Sequence, residues 1–179
     1  PELGPIPANL EPLRKWKGHP YEGGIRVPLL VYWPEKIKPK VSSFPTYNLD
    51  FAPTFAETAG LNPQADWDGI SLKSVWLEEK EPVREKPMFW HYPHFSNQLG
   101  MPAAAVRKGD WKLIIHYESQ ETELYYLPED ISESKNLASE NPEKAMELYA
   151  ILYEWLKETN ANLPIEKSTG KPIVLKAPK

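Results

Sequence analysis

The residues best suited to chemistry are gathered in one short stretch. Lys17-Gly18-His19-Pro20-Tyr21-Glu22-Gly23-Gly24-Ile25-Arg26-Val27-Pro28 places a lysine, a histidine, a glutamate and an arginine around three glycines. An ammonium is a compact charge with three donors, so a lysine on a glycine-flanked loop is placed to meet an anion. Gly23 and Gly24 permit backbone shapes and close approaches that are closed to other residues. Glu22 and Arg26, four apart, suit either an ion pair that fixes the loop or direct ligands. The plainer reading of Lys17 is a solvated surface lysine, because lysines are nearly always exposed. His91 and His94 flank Tyr92-Pro93 in a proline-stiffened aromatic turn, where imidazoles can donate hydrogen bonds or simply pack. The same His-x-x-His spacing could ligate zinc, but two ligands would need partners that the sequence does not offer. His19 lies beside Lys17 and can face the same site, whereas His116, in an apolar run, reads as structural. Trp16, Trp67, Trp76 and Trp90 could stack on a ligand, core or rim packing being the plainer role.

The elements that must position these groups follow from periodicity. Val27 to Trp33 is an apolar run without polar alternation, as in a strand buried on both faces of a parallel sheet. Asn48 to Leu61 predicts a helix, with Asn48 or Asp50 as cap, Pro53 in the first turn and Gly60 as terminator. A short helical stretch is expected at Ser71 to Leu77. A strand followed by such a helix is the unit of an α/β sheet. Residues 78–86 form a charged, linker-like stretch. Beyond it, Met88 to Tyr92, Ala103 to Arg107, Trp111 to Tyr117 and Glu123 to Leu127 predict short strands. Lys108-Gly109-Asp110 marks a tight turn, and the close spacing predicts an antiparallel meander. Asn141 caps and Pro142 opens a final helix, whose stripe of Met146, Tyr149, Leu152, Tyr153 and Leu156 covers one face of that sheet. Residues 1–15, with four prolines, predict an extended loop, and residues 164–179 a loosely held tail. The organisation is α/β over residues 1–77, then a small α+β unit over 78–179.

Composition excludes other classes. Twenty-one basic and 25 acidic residues give a net charge of −4, against a nucleic-acid or membrane-surface partner, both of which want a basic face. The absence of cysteine excludes a disulfide framework and a thiol nucleophile in this chain. Twenty prolines among 179 residues are roughly twice the usual share. The aromatic content of 12% excludes a disordered chain. No signal peptide is visible after Pro1, and no apolar run approaches the ~20 residues of a membrane span. The chain reads as a processed or excised piece.

The Lys-Gly-x-x-Tyr-Glu-Gly-Gly-Ile-Arg-Val-Pro stretch resembles a segment of the type I sulfatases, the arylsulfatase-like enzymes of the alkaline phosphatase superfamily. Trp33-Pro34 with Ile37-Lys38-Pro39 is similar to that family's Trp-Pro-Gly-Lys-Ile, with Glu35 where glycine is usual. Leu49-Asp50-Phe51-Ala52-Pro53-Thr54, Glu57-Thr58-Ala59-Gly60-Leu61 and Asp68-Gly69-Ile70-Ser71-Leu72 resemble further family motifs. So do Trp90-His91-Tyr92-Pro93-His94, Ala105-Val106-Arg107-Lys108-Gly109-Asp110-Trp111-Lys112-Leu113, Glu123-Leu124-Tyr125 and Asn136-Leu137-Ala138. Asp130-Ile131-Ser132-Glu133 departs from Asp-Pro-x-Glu. The likeness covers about residues 14–160 and rests on the order and spacing of the motifs.

The resemblance implies the end of an alkaline-phosphatase-like α/β sandwich followed by a small C-terminal α+β subdomain. It also implies a sulfuric ester hydrolase, acting on sulfated carbohydrates, whose formylglycine nucleophile and calcium lie upstream. Ser43-Phe44-Pro45-Thr46-Tyr47 is only a chance mimic of the nucleophile signature, with tyrosine where arginine is required. Lys17 matches the lysine that binds a sulfate oxygen, which makes it a catalytic and substrate-binding candidate; His19, His91 and His94 are substrate-binding candidates, and no metal ligand is assigned. The resemblance implies a periplasmic or secreted protein, inactive as this piece alone, whose exposed large-domain surface can self-associate. Two other readings stay open: a non-catalytic glycan-binding module, and a phosphodiesterase or phosphonate hydrolase of the same superfamily.

Overall fold

The computed structural model describes residues 10–78, 81 and 83–178. The prolines before residue 10 and part of the charged stretch 78–86 lie outside the described residues. The chain divides into two compact units, residues 28–86 and the remainder. Residues 10–27, grouped by sequence with the α/β part, pack on the C-terminal sheet instead.

That sheet has four antiparallel strands in sequence order: β1 (Met88–Tyr92), β2 (Ala103–Lys108), β3 (Trp111–His116) and β4 (Thr122–Tyr126). Lys108 pairs with Trp111, so Gly109 and Asp110 alone make the β2–β3 turn, with Gly109 at φ +59°. The register sorts side chains cleanly, because alternate residues of a strand point to opposite faces. Phe89, Ala104, Val106, Leu113, Ile115 and Leu124 line one face and pack on Ala145, Leu148, Tyr149, Leu152 and Leu156. These five belong to α4 (Pro142–Glu158), which opens with Pro142 as expected. Asn141 stands at its N-cap but makes no side-chain capping bond. The opposite face carries Ala103, Ala105, Ile114, Tyr125 and Trp90, covered by Tyr21.

The tail is held where a loose end was expected. Leu175 is only 7% exposed and joins the helix-side core. Tyr149 donates to its carbonyl at 3.3 Å, and Gln120 Oε1 accepts from the Lys176 amide at 3.0 Å. Burying one large apolar side chain between a helix and a sheet suffices to anchor a segment that has no regular structure.

The unit of residues 28–86 is built on α2 (Phe51–Thr58), preceded by a 3₁₀ turn at Asn48–Asp50, and on α3 (Lys73–Leu77). Asp50 is fully buried and gathers four donors. Arg84 meets it two-pronged at 2.8 and 3.0 Å, and the amides of Tyr47 and Ile70 donate at 3.0 and 2.9 Å. Thr54 Oγ1 accepts from the Leu72 amide at 2.8 Å. The Asp-Phe-x-Pro-Thr and Asp-Gly-x-Ser-Leu motifs are thus one stitch, and they carry structure rather than chemistry.

The strand expected at Val27 to Trp33 does not form. Val27, Leu30 and Tyr32 are 79%, 92% and 86% exposed. A parallel strand exists only through the ladders on its flanks, and among the described residues no strand runs beside this segment. Leu29 to Trp33, with Phe51, Phe55, Thr58 and Trp76, line an apolar groove of about 450 Å³.

Candidate functional site

Residues 14–26 form a loop closed on itself. It ends in α1 (Glu22–Ile25), a single turn. The Gly23 amide donates to the Arg14 carbonyl at 3.0 Å. A β-carbon on Gly23 would overlap the carbonyls of Arg14 and Lys15, and one on Gly24 those of Trp16 and His19. The paired glycines therefore let residues 14–19 wrap directly on the helix backbone. Lys17 is exposed on this wrapped segment. Among the described residues no carboxylate lies within ion-pairing distance of it. Gly18, at φ +96°, abuts Ser96, and a β-carbon on Gly100 would overlap the Gly18 carbonyl. The Ser96 hydroxyl accepts from the Gly100 amide at 2.9 Å, so the 96–100 turn is itself fixed where it meets the lysine loop.

Two buried clusters fasten this loop to the open face of the sheet. Lys112 of β3 is fully buried and reaches Glu22 at 2.9 Å and Glu133 at 2.8 Å. Glu133 also accepts the Glu22 amide at 2.6 Å, and Arg26 approaches Glu22 at 3.4 Å. Burial alone would raise the pKa of Glu22, but the Lys112 ammonium, helped by Arg107 and Arg26, pulls it below the ordinary carboxylate value. Glu133 goes the other way: burial outweighs the attraction of Lys112 and raises it.

The second cluster centres on Glu123 of β4. Its carboxylate accepts from Tyr21 at 2.7 Å and Tyr125 at 2.9 Å, with His116 at 3.6 Å and Arg14 at 3.8 Å. Burial opposes ionisation, yet the hydrogen bonds and charges from these partners hold Glu123 at about 2. Arg14 also donates to Tyr125 and to the Glu133 carbonyl, at 2.7 and 2.8 Å, and its guanidinium lies over the Tyr21 ring. His116 also meets the Tyr21 hydroxyl at 3.3 Å.

The four predicted site residues fall into different settings. His19 packs edge-on to Trp16; burial, helped by the Lys15 charge, lowers its pKa. His94 is exposed, its ring 4.1 Å from that of Tyr92. His91 pairs with Ala104 and so points to the helix-covered face. Its Nε2 meets the Asn162 carbonyl at 3.1 Å and its Nδ1 the Tyr117 hydroxyl at 2.6 Å. Since a carbonyl only accepts, Nε2 carries the proton and Nδ1 accepts. Both nitrogens of His91 are therefore engaged within the chain, on the face opposite the lysine loop.

Lys112, Glu123 and Glu133 were not singled out from sequence. A signal existed: Lys112 precedes Leu113-Ile114-Ile115, and a charge inside a buried strand must be paired. What it pairs with is not readable locally. Among the described residues, no cluster of three or more His, Asp or Glu side chains could hold a metal ion. The resemblance places the calcium ligands upstream, and none is assigned within this chain.

A helix-backed antiparallel sheet bearing a glycine-wrapped lysine loop on its open face defines the small C-terminal subdomain of an alkaline-phosphatase-like sulfatase. The family profile "N-sulphoglucosamine sulphohydrolase, C-terminal" matches residues 16–162, and the chain belongs to the sulfatase family. It is 37% identical over 172 residues to a sulfatase of Formosa agariphila, a match covering 87% of this chain and 31% of the relative. It resembles in structure a Bacteroides thetaiotaomicron sulfatase from a locus for metabolism of multiple glycosaminoglycans, with TM-score 0.63 and 26% identity over 80% of this chain and 32% of that one. It also resembles BT4656, solved with its substrate D-glucosamine-2-N,6-O-disulfate, with TM-score 0.51 and 34% identity over 66% of this chain and 25% of the other. The chain thus spans about a third of the length of its relatives.

Proposed function

We propose that this chain is the C-terminal part of a sulfuric ester hydrolase acting on sulfated carbohydrates, and that Lys17 is its cation for the sulfate group. One observation carries the reading: Lys17 is exposed and, among the described residues, without a carboxylate partner, on a loop whose neighbours are fixed by backbone packing and two buried ion clusters. Cleavage of a sulfate ester moves the sulfuryl group to a nucleophile and leaves negative charge on the departing sugar oxygen. A cation already held in place stabilises that charge without reorganising in the transition state. His19, beside Lys17, is a second sulfate contact, and the exposed His94 suits a sugar hydroxyl. His91 is a joint between sheet and helix in this reading. The substrate of BT4656, a sulfated glucosamine, supports the choice of substrate class.

The formylglycine nucleophile and calcium implied by the resemblance belong, in this proposal, to residues outside this chain. A periplasmic or secreted location belongs to the same proposal. The test is sulfate release from D-glucosamine-2-N,6-O-disulfate by the full-length enzyme. Lys17→Ala is expected to lower kcat/KM by roughly 10²–10³-fold, the cost of removing one preorganised donor. The 179-residue chain alone is expected to release no sulfate. Unchanged turnover in Lys17→Ala, or hydrolysis by the isolated chain, overturns the reading.

A further inference from the structure

The lysine loop is tied to the sheet through Arg14, Tyr21 and Glu22, and the partner of Glu22, Lys112, is fully buried. We propose that Lys112, with Glu133, is a positioning residue for Lys17, acting through Glu22; this rests on the reading of Lys17 as the sulfate-binding cation.

The path is continuous. Lys112 is held by the β2–β3–β4 register, between Arg107 and Tyr125 as Cα partners. Its ammonium, fully buried, donates to Glu22 at 2.9 Å and forms an ion pair with Glu133 at 2.8 Å. Glu133 returns to the same residue through its backbone, accepting the Glu22 amide at 2.6 Å. Glu22 is thereby held by both side chain and main chain. The next two residues, Gly23 and Gly24, lie directly against the carbonyls of Arg14, Lys15, Trp16 and His19, with no room for a β-carbon. Those carbonyls belong to the turn that carries Lys17. Displacing Glu22 therefore displaces the backbone around Lys17, and no flexible side chain intervenes to absorb the shift. The interior is close-packed, so such a shift is transmitted rather than damped.

A buried ion pair is often no better than apolar residues of equal volume. A charge-assisted pair does impose direction, and direction is what a loop presenting one cation requires. The Glu123 cluster secures Tyr21 separately, while among the described residues of the sheet it is Lys112 that grips Glu22, the residue adjoining the double glycine.

The test is steady-state kinetics in the full-length enzyme, with a double-mutant cycle. Lys112→Met and the milder Glu133→Gln are expected to lower kcat by roughly 10–100-fold, the scale of a misplaced catalytic group. Lys112→Arg is expected to restore part of the loss. In a Lys17→Ala background the same changes are expected to have almost no further effect. Leu152→Ala in α4, which loosens the fold elsewhere, serves as the control for lost stability. Should the Lys112 and Glu133 variants lose no more kcat than this control, or lose the same factor with and without Lys17, the inference is overturned. Amide hydrogen exchange gives a readout free of activity: Glu133→Gln is expected to speed exchange over residues 16–24 and leave α4 unchanged. If Lys17→Ala itself keeps full activity, the functional reading fails, while exchange still decides whether Lys112 and Glu133 order the loop. Unchanged exchange at 16–24 overturns the positioning role outright.

Discussion

Glu123 makes the footing of the lysine loop sensitive to acid. Its folded-state pKa is about 2, against an ordinary value of 4.5. A depressed pKa means that the ionised form is favoured by folding. That stability is fully present above the unfolded value and is lost as pH falls through the folded one. The loss is expected between roughly pH 4.5 and 2, read from the urea midpoint across that range. Glu123→Gln should flatten this part of the profile; an unchanged slope would place the acid sensitivity elsewhere. Lys112 is the harsher case. Lys112→Met leaves Glu22 and Glu133 side by side in a dry site, and breaking a buried pair this way costs about 3–5 kcal/mol. Chemical denaturation checks it, and a loss under about 1 kcal/mol would mean the carboxylates find other partners or protonate freely.

At the scale of elements, the double glycine and α4 make opposite demands. Gly24→Ala forces a β-carbon onto the carbonyls of Trp16 and His19, so the turn must open. Sulfate release by the full-length enzyme should fall more steeply than thermal stability does, because the strain lies at the loop and not in the core. Leu152→Ala in α4 removes a fully buried side chain and should cost about 2–5 kcal/mol, with kcat intact once the protein is folded. These elements were largely legible in sequence. The final helix, the three later strands and the Gly109 turn follow from period and turn chemistry. The segment Val27 to Trp33 was not: its apolar run is that of a buried strand, but a strand is a property of a pair, and no partner strand is present among the described residues. The tail fails for a related reason, since Leu175 gains its place only from the surface of α4 and the sheet.

For the whole molecule, the apolar groove of Leu29, Leu30, Val31, Tyr32, Trp33, Phe51 and Trp76 sets the solution behaviour. A contiguous apolar patch of this kind is uncommon on a monomer and promotes association. The isolated chain is expected to associate with rising concentration despite its net charge of −4. Sedimentation velocity should show this, and Leu30→Lys should reduce it. A chain that stays monomeric at high concentration would show that the groove is not adhesive.

The sequence by itself determined which residues are apolar at which period, where the turns fall, and the ordered motifs that mark a sulfatase. It also marked Lys17 and the glycines around it, because lysine, glycine and spacing are local facts. Only the tertiary structure decided what those residues are for one another. Glu22 meets Lys112 across 90 positions and Glu133 across 111; His91 turns toward the helix because it pairs with Ala104. Local propensity acts over a few residues, whereas the pairing of buried charges is set by strand register and by which segment lies on which face of the sheet.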